Sequence, residues 1–113
     1  MKTRKTESAI GGRLQQLVRP PRHHILKTWP EYFDAIGDRR KTFEARCNDR
    51  DFQVGDSLEL REWNPETQDY TQRWIWCRIS YVLNGGKFGV QPGWAILGLN
   101  LPNNHQWPIP KVA

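Results

Sequence analysis

The stretch WIWCRISYVL, residues 74–83, decides the fold class. Its apolar members recur at every second position: Ile75, Cys77, Ile79, Tyr81 and Leu83. Trp74, Trp76 and Arg78 occupy the alternate positions. Successive side chains of a β-strand point to opposite faces, so this period of two predicts a long strand with one buried face.

Shorter candidate strands lie on both sides of this one. Leu58 and Leu60 share a face before the turn residues Asn64–Thr67, which predicts a hairpin with the long strand. Three further segments have strand character: His24–Lys27, the alternating Lys41–Cys47, and Trp94–Leu99. The sequence thus predicts five or six strands that follow one another along the chain.

One short helix is predicted between the first two of these strands. Thr28 can cap it with Glu31 three residues on, and Pro30 is tolerated in the first turn. Apolar residues with helical spacing form one face of this helix: Trp29, Tyr32, Phe33 and Ile36. We expect this face, apart from Trp29, to pack on the core. Gly37 is expected to end the helix.

The chain has 113 residues, which suits a single domain. Sequential strands with one helix predict a mainly β (α+β) fold, a small antiparallel β-barrel with one short helix near its start. Closure of the barrel would remove exposed sheet edges. We expect a flexible basic leader at residues 1–22, the barrel domain at 23–100, and a Pro-rich tail at 101–113.

The net charge of +5 comes from the leader. Residues 1–22 hold six basic residues and one acidic residue, and the remainder holds eleven of each. Nucleic-acid binding by the domain must therefore rest on local patches. The leader is either a solvated or docked segment or an arm that contacts phosphates, and its Arg-rich, acid-poor composition also resembles a transit peptide.

The composition excludes several classes of protein. No apolar run is long enough to span a membrane, and no signal-peptide core follows the start. Cys47 and Cys77 both occupy apolar positions of their alternating segments. This predicts two buried free thiols in a reducing cytoplasm. His23 and His24 form no recognisable metal-ligand spacing with them. We therefore expect neither a metal nor another cofactor.

Four segments carry a resemblance to a known family: HILKTWPEYF at 24–33, RKTFEAR at 40–46, FQVGD at 52–56 and WAILGL at 94–99. Together they resemble the ASCH domains of the PUA-like superfamily, in particular a small bacterial and phage branch without an assigned function. The resemblance covers about residues 23–100. It implies a PUA-like β-barrel with a cleft for RNA or a modified nucleoside, lined by Lys41, Glu44 and Arg46.

The residues themselves allow the same interpretation. Alternation puts Thr42, Glu44 and Arg46 on one face of the strand, with neighbouring members of the group about 7 Å apart. A carboxylate beside a guanidinium can read a base edge, and an arginine can bind phosphate with two hydrogen bonds. Lys41 would stand at the rim, with Arg39 and Arg40 adding phosphate contacts. The alternative is an ordinary surface ion pair, worth about 0–1 kcal/mol.

The face that carries Trp74, Trp76 and Arg78 is a second candidate site for nucleic acid. Exposed indoles beside an arginine can stack unpaired bases, at about 1–3 kcal/mol per base. The alternative is that these rings pack beneath the tail, the leader or a partner chain. Together with Trp94 they would then serve as anchors of a protein-interaction module.

An enzyme is the further alternative. Some members of the superfamily resemble small amidohydrolases that deacylate N4-acetylcytidine with a Lys, a Thr and a distant Glu. Lys41 matches their Lys, Glu44 stands at the position of their Thr, and the distant Glu has no placed counterpart. Lys41 and Glu44 are the catalytic candidates, because a lysine can act as base or nucleophile when burial or nearby cations favour its neutral form.

Overall fold

The computed structural model describes residues 19–103, which are mostly β-strand with one short helix. Its elements are, in chain order, β1 His23–Thr28, α1 Pro30–Gly37, β2 Phe43–Cys47, β3 Ser57–Asn64, β4 Asp69–Asn84 and β5 Trp94–Asn100. The predicted mainly β fold with a helix near its start is confirmed. Most of the predicted leader and tail, residues 1–18 and 104–113, lies outside the described residues.

The five strands form one sheet in the order β1-β3-β4-β5-β2, curled into a half-barrel. β1 runs parallel to β3, and the other neighbours are antiparallel. No ladder joins β1 to β2 within residues 19–103, so the sheet remains open between these two edges (the seam). The structure therefore differs from an all-antiparallel, closed barrel in one parallel pair and in this opening.

Side chains rather than main-chain ladders bridge the seam. Arg46 Nη2 donates to the carbonyl oxygen of Lys27 at 2.6 Å. Arg50 Nη1 donates to the carbonyl oxygen of Ile25 at 2.7 Å. These bonds satisfy two carbonyl groups at the edge of β1 that would otherwise be available to another strand.

The long strand β4 follows its predicted alternation only in part. Ile75, Cys77 and Ile79 are buried as expected. The pairing register with β5 then shifts between Ile79 and Tyr81, and Tyr81 is 63% exposed. Such an irregularity reverses the faces of the residues that follow. Val82 packs against the core instead, so the predicted apolar face is wrong beyond Ile79.

The helix begins with Pro30 in its first turn, as predicted, but its N-cap is Trp29. Trp29 is extended, and no side chain caps the helix, so the predicted capping role of Thr28 is wrong. Thr28 is instead the last residue of β1, because the strand continues to the residue before the cap. Phe33 is fully buried, as predicted, together with Ile36.

Two buried carboxylates fix the helix and the start of the sheet. Glu62 accepts from Arg73 Nε at 2.8 Å, and Arg73 Nη2 donates to Asp34 of the helix at 2.9 Å. Asp56 is fully buried and accepts hydrogen bonds from four residues around it: Arg19, Arg22, His24 and Gln53. The first contact holds α1 on β3 and β4, and the second joins β1 to the turn before β3.

Candidate functional site

A cleft of about 660 Å³ lies at the seam. Its lining comes from the end of β1, the start of the helix, the whole of β2, the loop after β2 and the first residue of β5. The opening between the two strand edges at the seam is thus a concave site. The cleft contains Lys41, Glu44 and Arg46.

Glu44 holds the other two residues of this group together. Its Oε1 accepts from Lys41 Nζ at 2.5 Å, and its Oε2 accepts from Arg46 Nε at 2.9 Å. Lys41 Nζ also donates to the carbonyl oxygen of Phe43 at 2.7 Å. Glu44 is only 4% exposed. The structure therefore brings Lys41, Glu44 and Arg46 into one ion cluster on the floor of the cleft.

The shared face of Glu44 and Arg46 is the inner face of the half-barrel. Glu44 pairs across the sheet with the buried Leu97, whereas Ala45 and Cys47 are exposed. The prediction of a buried thiol is thus wrong for Cys47 and confirmed for Cys77. Alternation reveals which residues share a face but not which face is inside, and here the inner positions of an edge strand hold the ion cluster.

The interior position of Glu44 also affects a buried thiol. Burial raises the pKa of Cys77 to about 12, and the negative charge of Glu44 contributes to this rise. A carboxylate is stable at such a position only when cations and hydrogen bonds compensate for its lost hydration. Lys41 and Arg46 provide both.

Four half-exposed aromatic side chains line the cleft around this cluster (the aromatic rim): Trp29, Tyr32, Phe43 and Trp94. The rings of Trp29 and Tyr32 are stacked, with centroids 6.4 Å apart and planes inclined by 26°. Lys41 Nζ lies 5.7 Å from the Tyr32 centroid and 4.9 Å from that of Phe43. The cleft therefore combines flat apolar surfaces with a charged floor.

Sequence reasoning missed the aromatic rim. Tyr32 belongs to the helix face expected to pack on the core, yet it is 45% exposed, and Trp29 at the start of that face is 49% exposed. They precede Phe33 and Ile36 on the short helix, at the end that borders the cleft. The available signal was the position of Trp29 before Pro30, at the boundary between two elements rather than inside one.

Three other predicted site residues lie outside the cleft lining. Thr42 is exposed, and its side chain has no hydrogen bond within residues 19–103. Arg39 Nη2 donates to the carbonyl oxygen of Pro102 at 2.5 Å. Arg40 forms an exposed ion pair with Asp38 at 2.9 Å. These residues can reach a ligand only if it extends beyond the cleft.

Trp74, Trp76 and Arg78 share the outer face of β4 (the outer face), away from the cleft. Trp74 is 50% exposed. Trp76 is half-buried, with the guanidinium of Arg78 lying 5.1 Å from its ring. Trp94, the third predicted protein-docking anchor, lies at the aromatic rim instead. The three indoles therefore do not form one surface.

The described residues offer no cluster of three metal-ligating side chains. His23 lies against Ser57 and Glu59, and His24 lies against Asp56, so both imidazoles have protein partners. In the same part of the chain, the helix is too short and too polar to cross a bilayer.

A family described as "Domain of unknown function (DUF3850)" matches residues 23–99. The chain belongs to this family. The family's segment begins at the first residue of β1 and ends one residue before the end of β5. It therefore contains all five strands except the last residue of β5, the helix and the whole lining of the cleft. A search of curated proteins finds no match to the chain.

Proposed function

We propose that the chain is an ASCH domain of the PUA-like superfamily that binds single-stranded RNA, or a modified nucleoside, in the cleft at the seam. The observation that carries this proposal is the convergence of Lys41, Glu44 and Arg46 on the floor of a cleft with an aromatic rim. Such a site combines donors for phosphate or base acceptors with surfaces on which a base can stack.

The dimensions of the cleft support a single nucleotide as its occupant. Its volume of about 660 Å³ lies within the range typical of small-ligand sites, about 300–1,000 Å³. The stacked pair of Trp29 and Tyr32 offers a flat face, and the charged floor lies beside it. A base inside a duplex has both faces covered by its neighbours, so the aromatic rim favours an unpaired base.

The leader has a supporting part in this proposal. The charged residues of segment 1–18 are Lys2, Arg4, Lys5, Arg13 and one acid, Glu7. Phosphate contacts by such an arm add affinity that depends on salt but carries no sequence information. The proposal includes a cytoplasmic location, which fits the two free cysteines.

Fluorescence anisotropy with labelled single-stranded RNA oligomers tests the proposal. Trp29→Ala removes a half-exposed ring of the aromatic rim, and we expect about a 10-fold loss of affinity or more. Trp74→Ala on the outer face removes an indole of similar exposure and is the matched control, with no change expected. A protein that at low salt binds no single-stranded RNA or DNA, and no nucleoside or nucleotide either, would overturn the proposal.

An amidohydrolase acting on an acylated pyrimidine nucleoside is the second candidate. The contact of 2.5 Å between Lys41 Nζ and Glu44 is the observation that favours it, because proton transfer requires such proximity. Lys41 donates to both Glu44 and the Phe43 carbonyl, however, whereas a nucleophile must present a lone pair. Chromatography after incubation with N4-acetylcytidine decides the matter, and unchanged substrate at high protein concentration excludes this reaction.

A further inference from the structure

We infer that the cleft recognises its ligand through a phosphate group, so that its occupant is a nucleotide rather than a neutral nucleoside. This inference rests on the proposed function and specifies its ligand. In this arrangement Arg46 and Arg50 contact the phosphate, and the base lies against the aromatic rim. Glu44 is a positioning residue that holds the cations and does not read the base.

The hydrogen bonds of Glu44 are the first reason. Lys41 occupies one carboxylate oxygen, and Arg46 occupies the other with both Nε and Nη2. These three charge-assisted contacts leave at most one acceptor site, on Oε1, of a carboxylate that is only 4% exposed, so a base amino group has little of it to bond. The side chains of the ion cluster therefore offer a ligand mainly donors.

The donors left over on the two arginines are the second reason. Arg46 bonds Glu44 and Lys27 through Nε and Nη2, and its Nη1 has no partner in residues 19–103. Arg50 bonds Ile25 through Nη1 alone, again within that range. A guanidinium carries five N–H donors, and their planar geometry matches the oxygens of a phosphate.

The charges that line the cleft are the third reason. Its cations are Lys27, Lys41, Arg46 and Arg50, and its carboxylates are Glu44 and Asp49. The ammonium of Lys27 lies over the Trp63 ring, 4.4 Å from its centroid, and does not contribute to the floor. The three remaining cations still outnumber the two carboxylates, which leaves a net positive charge in the cleft. An anionic ligand neutralises this charge, whereas a neutral nucleoside does not.

One residue of the cleft lining carries a buried hydroxyl without a partner in the described part of the chain. Thr28 lines the cleft and is only 3% exposed, and its Oγ1 has no hydrogen-bond partner among residues 19–103. Buried hydroxyls are almost always hydrogen-bonded in folded proteins. Because this oxygen is itself inaccessible, contact with a ligand or a water requires a small movement of the cleft wall.

Isothermal titration with adenosine, cytidine, their 5′-monophosphates and inorganic phosphate tests the inference. At low salt we expect each nucleotide to bind at least 10-fold more tightly than its nucleoside, with the ratio shrinking as salt rises. Arg50→Gln alters an exposed side chain with one hydrogen bond, so the protein should fold, and the ratio should fall toward one. Trp29→Ala should weaken both ligands equally and leave the ratio unchanged.

The outcomes separate the inference from the proposed function. Equal affinity for nucleoside and nucleotide would overturn the inference while the proposed function stands. Inorganic phosphate binding as tightly as the nucleotides would also overturn it, because the base would then contribute nothing. If nucleosides, nucleotides and single-stranded RNA all fail to bind, the proposed function itself is wrong.

Discussion

Arg46 donates to the main-chain oxygen of Lys27 at 2.6 Å, so a side chain of β2 holds the opposite edge of an unclosed sheet. The same guanidinium bonds the buried carboxylate of Glu44. One residue thus connects the ion cluster to the seam. The shape of the cleft depends on this contact, because no strand ladder fixes the distance between the two edges within the described residues.

We expect Arg46→Gln to destabilise the protein by about 2–3 kcal/mol. It leaves the buried Glu44 with one charged partner and removes the bond to β1. Guanidinium chloride unfolding followed by circular dichroism measures the effect. Arg40→Gln breaks only an exposed ion pair and is the matched control, with an expected change of about 0–1 kcal/mol.

The double variant Arg46→Gln/Glu44→Gln separates charge from packing. With the carboxylate neutral, the loss of the guanidinium no longer leaves an uncompensated buried charge, so the double variant should be less destabilised than the sum of the two single variants. Additive effects, or an Arg46→Gln variant as stable as Arg40→Gln, would contradict the account of the ion cluster.

The two thiols should differ sharply in reactivity. Cys47 is exposed, whereas Cys77 is buried with its pKa raised to about 12, and only the thiolate attacks a disulfide reagent. Ellman's reagent should therefore modify one thiol per native chain quickly and the other only after unfolding. Cys47 lines the cleft, so a bound nucleotide should slow its modification. Two rapidly reacting thiols would contradict the burial of Cys77.

The ionisation of Asp56 should determine how the stability of the protein falls in acid. Burial alone would raise its pKa, but hydrogen bonds from Arg19, from the Arg22 and Gln53 N–H groups and from His24 outweigh burial and hold the pKa well below its ordinary value of 3.8. A carboxylate whose pKa is lower in the folded state than in the unfolded state stabilises the fold at pH values above its unfolded-state pKa. This stabilisation is lost as the pH falls through the folded-state pKa.

Unfolding at pH 7, 5 and 3 checks this linkage. Wild type should exceed Asp56→Asn in stability most at pH 7 and 5, and the difference should shrink below about pH 4. Asp69→Asn, at an exposed carboxylate, is the control and should follow wild type at every pH. A difference between wild type and Asp56→Asn that stays constant down to pH 3 would show that the carboxylate charge is not what stabilises the turn.

Removal of residues 1–18 should lower the salt dependence of RNA binding. It should change the affinity for a nucleotide in the cleft only slightly. The cut stops before Arg19 because Arg19 bonds Asp56 and belongs to the folded domain. The slope of log Kd against log salt should fall, since the basic side chains that we propose to contact phosphate are removed. An unchanged slope would mean that this segment makes no phosphate contacts.

Local patterns were sufficient to predict much of this fold. The period of two in Trp74–Leu83 predicted the long strand, and Pro30 marked the start of the helix. The grouping of Lys41, Glu44 and Arg46 followed from alternation together with the family resemblance. In each case the relevant signal lies within one element, where side-chain direction is set by backbone geometry.

Relations between elements could not be predicted in the same way. The register shift after Ile79 depends on how β5 pairs with β4, and the inner face of β2 depends on its position at the seam. The exposure of Trp29 and Tyr32 depends on what the start of the helix covers. Each is set by packing between segments distant in sequence, which periodicity within one segment does not encode.

The indole N–H signals of the tryptophans, followed by ¹H–¹⁵N NMR during titration with a short single-stranded RNA, test the central claim most directly. Trp29 and Trp94 line the cleft, while Trp74 and Trp76 lie on the outer face. If the cleft is the binding site, Trp29 and Trp94 shift during the titration, and Trp74 and Trp76 do not. Shifts confined to Trp74 and Trp76 would contradict the account and would place the ligand on the outer face.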